Sequence, residues 1–242
     1  MKHLDLTLPA PAENLACDEA LLDAGEDGSG GEVLRFWEAR EPFVVVGYAN
    51  RVAREVNVAA CEARNIPVYR RCSGGGTVWQ GPGCLNYALV LRIAENGQLA
   101  GIATANRFIM ERNRAAVEAA FRTRPPATAV CGHTDLAIGG RKFSGNSQRR
   151  HRRFLLFHGS FLLHADLAAI GELLPMPSHQ PDYRKHRAHA EFLTNLNLAA
   201  DEVKSALKKI WDAGELLPDP PLARIAALAR EKYTTRSWNY KF

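Results

Sequence analysis

The sequence predicts an α+β fold, on three observations. Short apolar runs at 33–37, 43–47, 66–71, 86–92 and 154–163 have strand character. Segments 14–24, 55–65, 102–121, 201–212 and 222–232 have helical character. The two kinds do not interleave as regular strand–helix–strand units, which argues against a doubly wound sheet.

Taken in order, residues 14–24 place Leu15, Leu21 and Leu22 against Asp18, Glu19 and Asp23, an amphipathic helix. Gly25–Gly31, rich in glycine and acid, reads as a loop. Val33–Trp37 and Phe43–Gly47 follow as strands around Glu41-Pro42, then a helix over Glu55–Asn65 and a strand over Ile66–Arg71. Asn86–Arg92 is apolar on both parities, as a strand buried on both faces requires. The clearest helix is 102–121, where Ile102, Ala105, Ile109, Ala116, Val117, Ala120 and Phe121 share a face; Pro125-Pro126 lies beyond its end. A hairpin turns at Gly139-Gly140, and a strand runs from Phe154 to Leu163. Residues 175–189 form a loop, and two helices complete the reading.

Composition narrows the function classes. With 46% hydrophobic and 24% charged residues in 242, the chain suits a soluble globular domain. No run nears the ~18 apolar residues of a membrane span, and Met1–Asp5 lacks a signal-peptide core, so cytoplasm is the expectation. Cys17, Cys61, Cys72, Cys84 and Cys131 are odd in number and form no Cys-x-x-Cys pair, which argues against a disulfide scaffold or zinc knuckle. The eight histidines show no metal spacing. A net charge of +5 favours an acidic protein partner and is too small to argue for nucleic acid.

Two segments carry chemistry. In Arg70-Arg71-Cys72-Ser73-Gly74-Gly75-Gly76-Thr77 two arginines close a strand and three glycines follow. Glycine lets backbone N–H groups approach an anion, and guanidinium forks match carboxylate or phosphate. A plain glycine-rich turn is the bland alternative. The segment is neither a P-loop nor a dinucleotide fingerprint. In the second, Thr134–Ile138, Gly139-Gly140 and Arg141-Lys142-Phe143-Ser144-Gly145-Asn146-Ser147-Gln148 put one lysine between a tight turn and a small polar run. Its ammonium could bridge a carboxylate and a phosphate; an ordinary exposed hairpin lysine is the alternative. The basic run Arg149–Arg153 reads as a loop, and Phe154–Phe157 then leads to His158-Gly159-Ser160.

These blocks resemble the lipoate–protein ligase A family, within the biotin and lipoate ligases. The resemblance spans most of the chain: Asn14–Leu21, Leu34–Trp37 and Val45–Asn50, then the arginine–glycine, lysine and His158 blocks, in the family's order. It implies the biotin/lipoate ligase catalytic fold, a mostly antiparallel sheet flanked by helices and related to class II tRNA synthetases. It also implies one catalytic domain over residues 1–242, without the small C-terminal domain of several members, and leaves open an accessory subunit.

The implied reaction activates lipoate or octanoate with ATP and Mg²⁺ to an acyl-adenylate. The acyl group then passes to a lysine of an acidic lipoyl-carrier domain, with neither nucleic acid nor membrane involved. Lys142 is the implied catalytic residue, contacting acyl oxygen and α-phosphate. Arg71, Ser73, Gly74, Gly75, Gly76 and Thr77 line the acyl-adenylate, and Arg70 binds phosphate or supports the loop. Ser144, Gly145 and Asn146 shape the adenosine side, and Asp135 hydrogen-bonds near Lys142 or helps hold magnesium. His158 positions the acyl group or satisfies a buried hydrogen bond. The acyl chain is expected in an apolar tunnel.

The chain departs from the family's pattern at Trp79-Gln80, where a histidine is common, and at Cys84, where asparagine is common. Cys131 keeps a second mechanism open. Octanoyltransferases and amidotransferases among the relatives place a nucleophilic cysteine near this point and pass the acyl group through a thioester, without ATP. A buried, inert cysteine is the bland reading. For Arg149–Arg153 the alternatives are a solvated face, docking of an acidic carrier, or phosphate binding. A third class of reading is a ligand-binding module without catalysis.

Overall fold

The strands expected at 86–92 and 154–163 lie side by side at the centre of an eight-stranded sheet. The protein is described by a computed structural model covering residues 1–123 and 125–242. In chain order the elements are β1 (Lys2–Asp5), α1 (Pro11–Asp27), β2 (Val33–Glu38), β3 (Phe43–Val46), α2 (Val52–Glu55), α3 (Val58–Ala63), β4 (Val68–Arg70), β5 (Val78–Gln80), β6 (Cys84–Arg92) and α4 (Ile102–Ala120). Then come β7 (Thr128–Cys131), β8 (Asp135–Ile138), β9 (Arg141–Arg150), β10 (Phe154–Leu162), α5 (Leu167–Leu173), α6 (His189–Phe192), α7 (Ala200–Ile210), β11 (Glu215–Leu216), α8 (Leu222–Leu228) and α9 (Arg236–Asn239).

The large sheet runs β11–β1–β2–β6–β10–β9–β8–β7. β1 is parallel to both its neighbours and the remaining pairs are antiparallel, so the fold is α+β with a mixed sheet. Strand alternation then sorts the side chains. Leu34, Phe36, Leu89, Leu155 and Phe157 pack under α4 and α7. Val33, Trp37, Ala88, Val90 and Leu156 pack under α1. Arg35, His158 and Ser147 fall on this second parity, His158 opposite Ser147 and two residues from Leu156. Arg35, His158 and Ser147 therefore gather under α1. A small sheet, β4–β3–β5, packs with α5 and α6 into a third core.

Several boundaries differ from the sequence reading, each for a local reason. α1 starts at Pro11, whose fixed φ suits a first helical turn, and runs through Gly25 to a left-handed Gly28 cap. The helix expected over 55–65 is two helices, because the Asn57 side chain accepts from Ala60 N–H and starts α3 afresh. Asp166 likewise caps α5, by accepting from Ala168 and Ala169. Arg149 and Arg150 belong to β9 rather than to a loop. Among the described residues no helix is long and apolar enough to cross a membrane.

Arg70 fixes the way the C-terminal residues return to the small sheet. Its fully buried guanidinium donates to the carbonyls of Gly47, Tyr48, Asn50, Trp238 and Asn239 at 2.8–3.1 Å. Replacing it strands several buried acceptors. Arg70→Met is expected to lower the unfolding free energy by about 3 kcal/mol in urea titrations, and to expose the segment after Tyr233 to limited proteolysis.

Candidate functional site

A cavity of about 790 Å³ opens between the α1-facing side of the sheet, the glycine loop and residues 174–193. Its wall carries Arg71, Gly75, Gly76, Thr77, Asp135, Lys142, Ser144, Gly145, Asn146 and His158 from the sequence-predicted set. Arg70, Ser73, Gly74 and Cys131 are absent from that wall. Arg70 donates to the 47–50 loop and to residues 238–239, not to the glycine loop it was expected to support. The lining mixes apolar Leu15, Trp37, Val45, Trp79 and Leu162 with Gln80, Asn86 and Ser160, so the floor is more polar than the expected tunnel.

The glycine loop is folded around its own arginine. Arg71 Nη2 donates to Gly74 O at 2.5 Å and Gly76 O at 2.7 Å, while Nε reaches Gly74 O and Ser73 Oγ. Burial pulls the guanidinium down to a pKa of about 10, so it remains charged at neutral pH.

Beneath the loop lies a buried polar chain. Asp18 Oδ1 accepts from Arg35 Nη1 at 2.5 Å, and its Oδ2 meets His158 Nδ1 at 2.9 Å. Burial alone would raise the Asp18 pKa, but Arg35 and His158 overcome it and hold the carboxyl below its usual range. An ionised carboxylate only accepts, so Nδ1 carries a proton towards Asp18, and Nε2 lies within hydrogen-bond distance of Ser73 Oγ, 2.5 Å away. Ser147 Oγ donates to Ser73 Oγ at 2.7 Å. Asn14 completes the arrangement, accepting from Arg35 through both its backbone and side-chain oxygens. Asp18 and Arg35 went unassigned because a helical carboxylate and a strand arginine read as solvent-facing.

The lysine site stands further along β9. Lys142 Nζ pairs with Asp135 Oδ1 at 2.8 Å, and the Tyr183 hydroxyl donates to Oδ2 at 2.7 Å. The first of Asp135's expected roles is thus present, while a magnesium ion would compete with both contacts. Among the described residues no group of three or more His, Cys, Asp or Glu side chains could hold a metal ion. Burial, then Asp135, push the Tyr183 phenol up, so it stays a donor. Lys142 lies across Gly145, where a Cβ would stand 2.6 Å from Nζ.

Asn146 is held by a second chain. Trp211 Nε1 donates to Asn113, Asn113 to the Tyr87 hydroxyl, and that hydroxyl to Asn146 Oδ1 at 2.6 Å. Asn146 Nδ2 then donates to Thr134 O, fixing the loop before Asp135. Gly159 makes room, since a Cβ there would overlap the Asn146 amide.

Cys131 ends β7 directly opposite Asp135. It immediately precedes Gly132 and His133, which line the cavity, and is half-buried. Burial, then Asp135, raise its thiol pKa. Cys17, Cys61, Cys72 and Cys84 are buried, and burial pushes Cys72 and Cys84 up to about 12. Residues 175–189, a loop in the sequence reading, supply Tyr183, Arg184 and His189 to the wall, and Phe192 of α6 joins them.

A family model of the lipoyl protein ligase A/B catalytic domain matches residues 10–210, and the chain belongs to that family. It is 27% identical to an octanoyltransferase LipM of Geobacillus kaustophilus, with 99% of this chain and 98% of that protein covered. It is 29% identical to an octanoyltransferase LipM of Anoxybacillus flavithermus, with 96% and 95% covered. Among solved structures, a lipoate-protein ligase A bound with ATP superposes with a TM-score of 0.78 at 23% identity, covering 99% of both chains. A bi-partite lipoate protein ligase of Thermoplasma acidophilum gives 0.76 at 23%, covering 99% and 96%. These structural likenesses establish the fold.

Gly145→Ala tests the lysine's seat. The clash is with the flexible end of a side chain, so the melting temperature should shift by only about 2 °C. Activity should fall about tenfold or more as the ammonium is displaced. Asp18→Asn tests the buried chain. A carboxyl with a depressed folded pKa stabilises above its unfolded value near 4 and loses that contribution as pH falls through the folded pKa. Urea midpoints across pH 2.5–6 should therefore drop in acid for the wild type (the range is roughly that of an unperturbed carboxyl). The variant should lack that component of the slope and be destabilised at neutral pH by about 3 kcal/mol.

Proposed function

We propose that the chain is an octanoyltransferase. It moves a medium-chain acyl group from an acyl-carrier thioester to the ε-amine of a lysine on a lipoyl-carrier domain, without ATP. The observation that carries this reading is Cys131, the one thiol of five that is not buried, placed opposite the Asp135 that Lys142 and Tyr183 hold. Similarity over nearly the whole of both chains to octanoyltransferases LipM supports it. So does the state of the arginines expected to receive phosphate: the Arg70 guanidinium is spent on backbone carbonyls, and that of Arg71 on carbonyls and the Ser73 hydroxyl. With Asp135 already holding two partners, the residues present do not fit a bound triphosphate with magnesium, and no step is derived through either.

In the proposed reaction the Cys131 sulfur attacks the thioester carbonyl carbon. The carbon–sulfur bond to the donor breaks, and the donor thiol leaves with the proton that Cys131 gives up. The acceptor lysine, in its free-amine form, then attacks the Cys131 thioester. An amide forms, the carbon–sulfur bond breaks, and the amine's proton returns to the Cys131 sulfur. Lys142 donates to the carbonyl oxygen as negative charge grows there in both steps. Burial and Asp135 raise the thiol pKa, so the first step needs Asp135 kept neutralised by Lys142.

Intact-mass analysis of an apo lipoyl domain tests the reading. Octanoyl–acyl carrier protein without ATP should give a single acyl mass gain, lost by at least about 100-fold in both Cys131→Ala and Lys142→Ala. A gain only from free octanoate or lipoate with Mg-ATP, with Cys131→Ala fully active, would instead establish an ATP-dependent ligase.

A further inference from the structure

A cation-rich aromatic platform lies beside the glycine loop and takes no part in the chemistry above. Tyr48 follows Gly47 on the loop that faces the glycine segment, and its N–H donates to Ser73 O at 2.8 Å. Its exposed ring stands 5.8 Å from Trp238 and 6.4 Å from Phe242. Lys241 Nζ sits 3.6 Å from the Tyr48 ring and 4.3 Å from that of Trp238, and the Arg149 guanidinium lies 5.8 Å from the Tyr48 ring. Arg51 stands three residues beyond Tyr48 and is exposed, and the next residue, Val52, donates to Phe242 O. Among the described residues none of Arg51, Arg149 and Lys241 pairs with a carboxylate. Three unneutralised cations around three exposed or half-exposed rings form a surface suited to an acidic partner.

We infer that this platform docks the acidic lipoyl-carrier domain that receives the acyl group, which rests on the acceptor named under the proposed function. Strand geometry supports the placement. Arg149 shares the parity of Ser147 on β9, so it faces the same side of the sheet as the cavity. It lies seven residues from Lys142, roughly 24 Å at the rise of an antiparallel strand. A carrier domain of about 80 residues has a radius of gyration of about 12 Å. One such domain reaches from the cavity mouth to the platform, its target lysine at one end and its acidic side at the other. The aromatic rings hold Lys241 and Arg149 in place, so less side-chain freedom is lost on docking.

The test is titration calorimetry of the full-length protein with an apo lipoyl domain, alongside acylation kinetics. Arg149→Glu/Lys241→Glu should weaken binding and raise KM for the domain by about tenfold or more, with kcat moving less. Arg51→Glu, at an exposed position outside the ring cluster, should act in the same direction should the double variant fold poorly. Arg107→Glu makes the same charge change on α4, across the sheet, and should have little effect. Raising salt should weaken wild-type binding more steeply than that of the double variant. If the wild type acylates the domain but the Arg149 and Arg51 variants bind it as tightly as wild type, the docking inference fails and the acyltransferase reading stands. If the wild type neither binds nor acylates the domain, both fail.

Discussion

The Asp18 carboxylate, buried between Arg35 and His158, is the constraint on which the site depends. A lone carboxylate in that position would cost far more than any fold can offset, so its partners must be present and correctly aimed. Meeting that demand joins α1, β2 and β10 at one point. It also fixes the orientation of the His158 ring, whose Nε2 meets Ser73 Oγ and holds the start of the glycine loop. Arg35 is held by Asn14 and by Leu6 O, so the helix and the second strand cannot slide independently.

The cations of the protein divide into those spent on architecture and those left for chemistry. Arg35, Arg70 and Arg71 are buried, and their donors go to a carboxylate or to oxygens of the fold itself. For Arg71 the partners include two carbonyls of the loop it precedes, Gly74 and Gly76, which draws that loop into a fixed curve around the guanidinium. Lys142 is different. It is partly exposed, has one ionic partner, and lies over a glycine that leaves it room to turn. A compact ammonium on a flexible stem can change partners during a reaction, where a buried forked guanidinium held by several fixed acceptors cannot.

Much of this was legible in the sequence, and the illegible parts share a cause. The α+β class, the central strands and α4 follow from apolar periodicity sustained over many residues, and the order of three motifs marks the family. β1, β5, β7 and β11 have two to four residues each, too few to show a period. Arg70 beside three glycines reads as a ligand arginine because local sequence is all that is visible. Two of the carbonyls that claim it belong to residues 238 and 239, which only the folded chain brings near. Asp18 reads as the polar side of a helix for the same reason, its partner Arg35 being 17 residues on and His158 140. The site motifs are readable, whereas the contacts that decide which of their residues remain free are long-range.

The cluster at Asp135 shows how the proposed transfer can proceed without leaving a charge stranded. At rest the carboxylate holds two donors, the ammonium of Lys142 and the phenol of Tyr183. As negative charge grows on the acyl oxygen, Lys142 gains a second anion to serve and can turn towards it. Asp135 is then not abandoned, because Tyr183, whose raised pKa keeps its proton in place, continues to donate. The released carboxylate lies directly opposite Cys131 on the paired strand, and its charge disfavours a free thiolate there. The same swing that stabilises the tetrahedral oxygen therefore favours sulfur in a neutral form, as thioester or thiol. One salt bridge thus couples charge at the acyl oxygen to charge at sulfur through a single side chain.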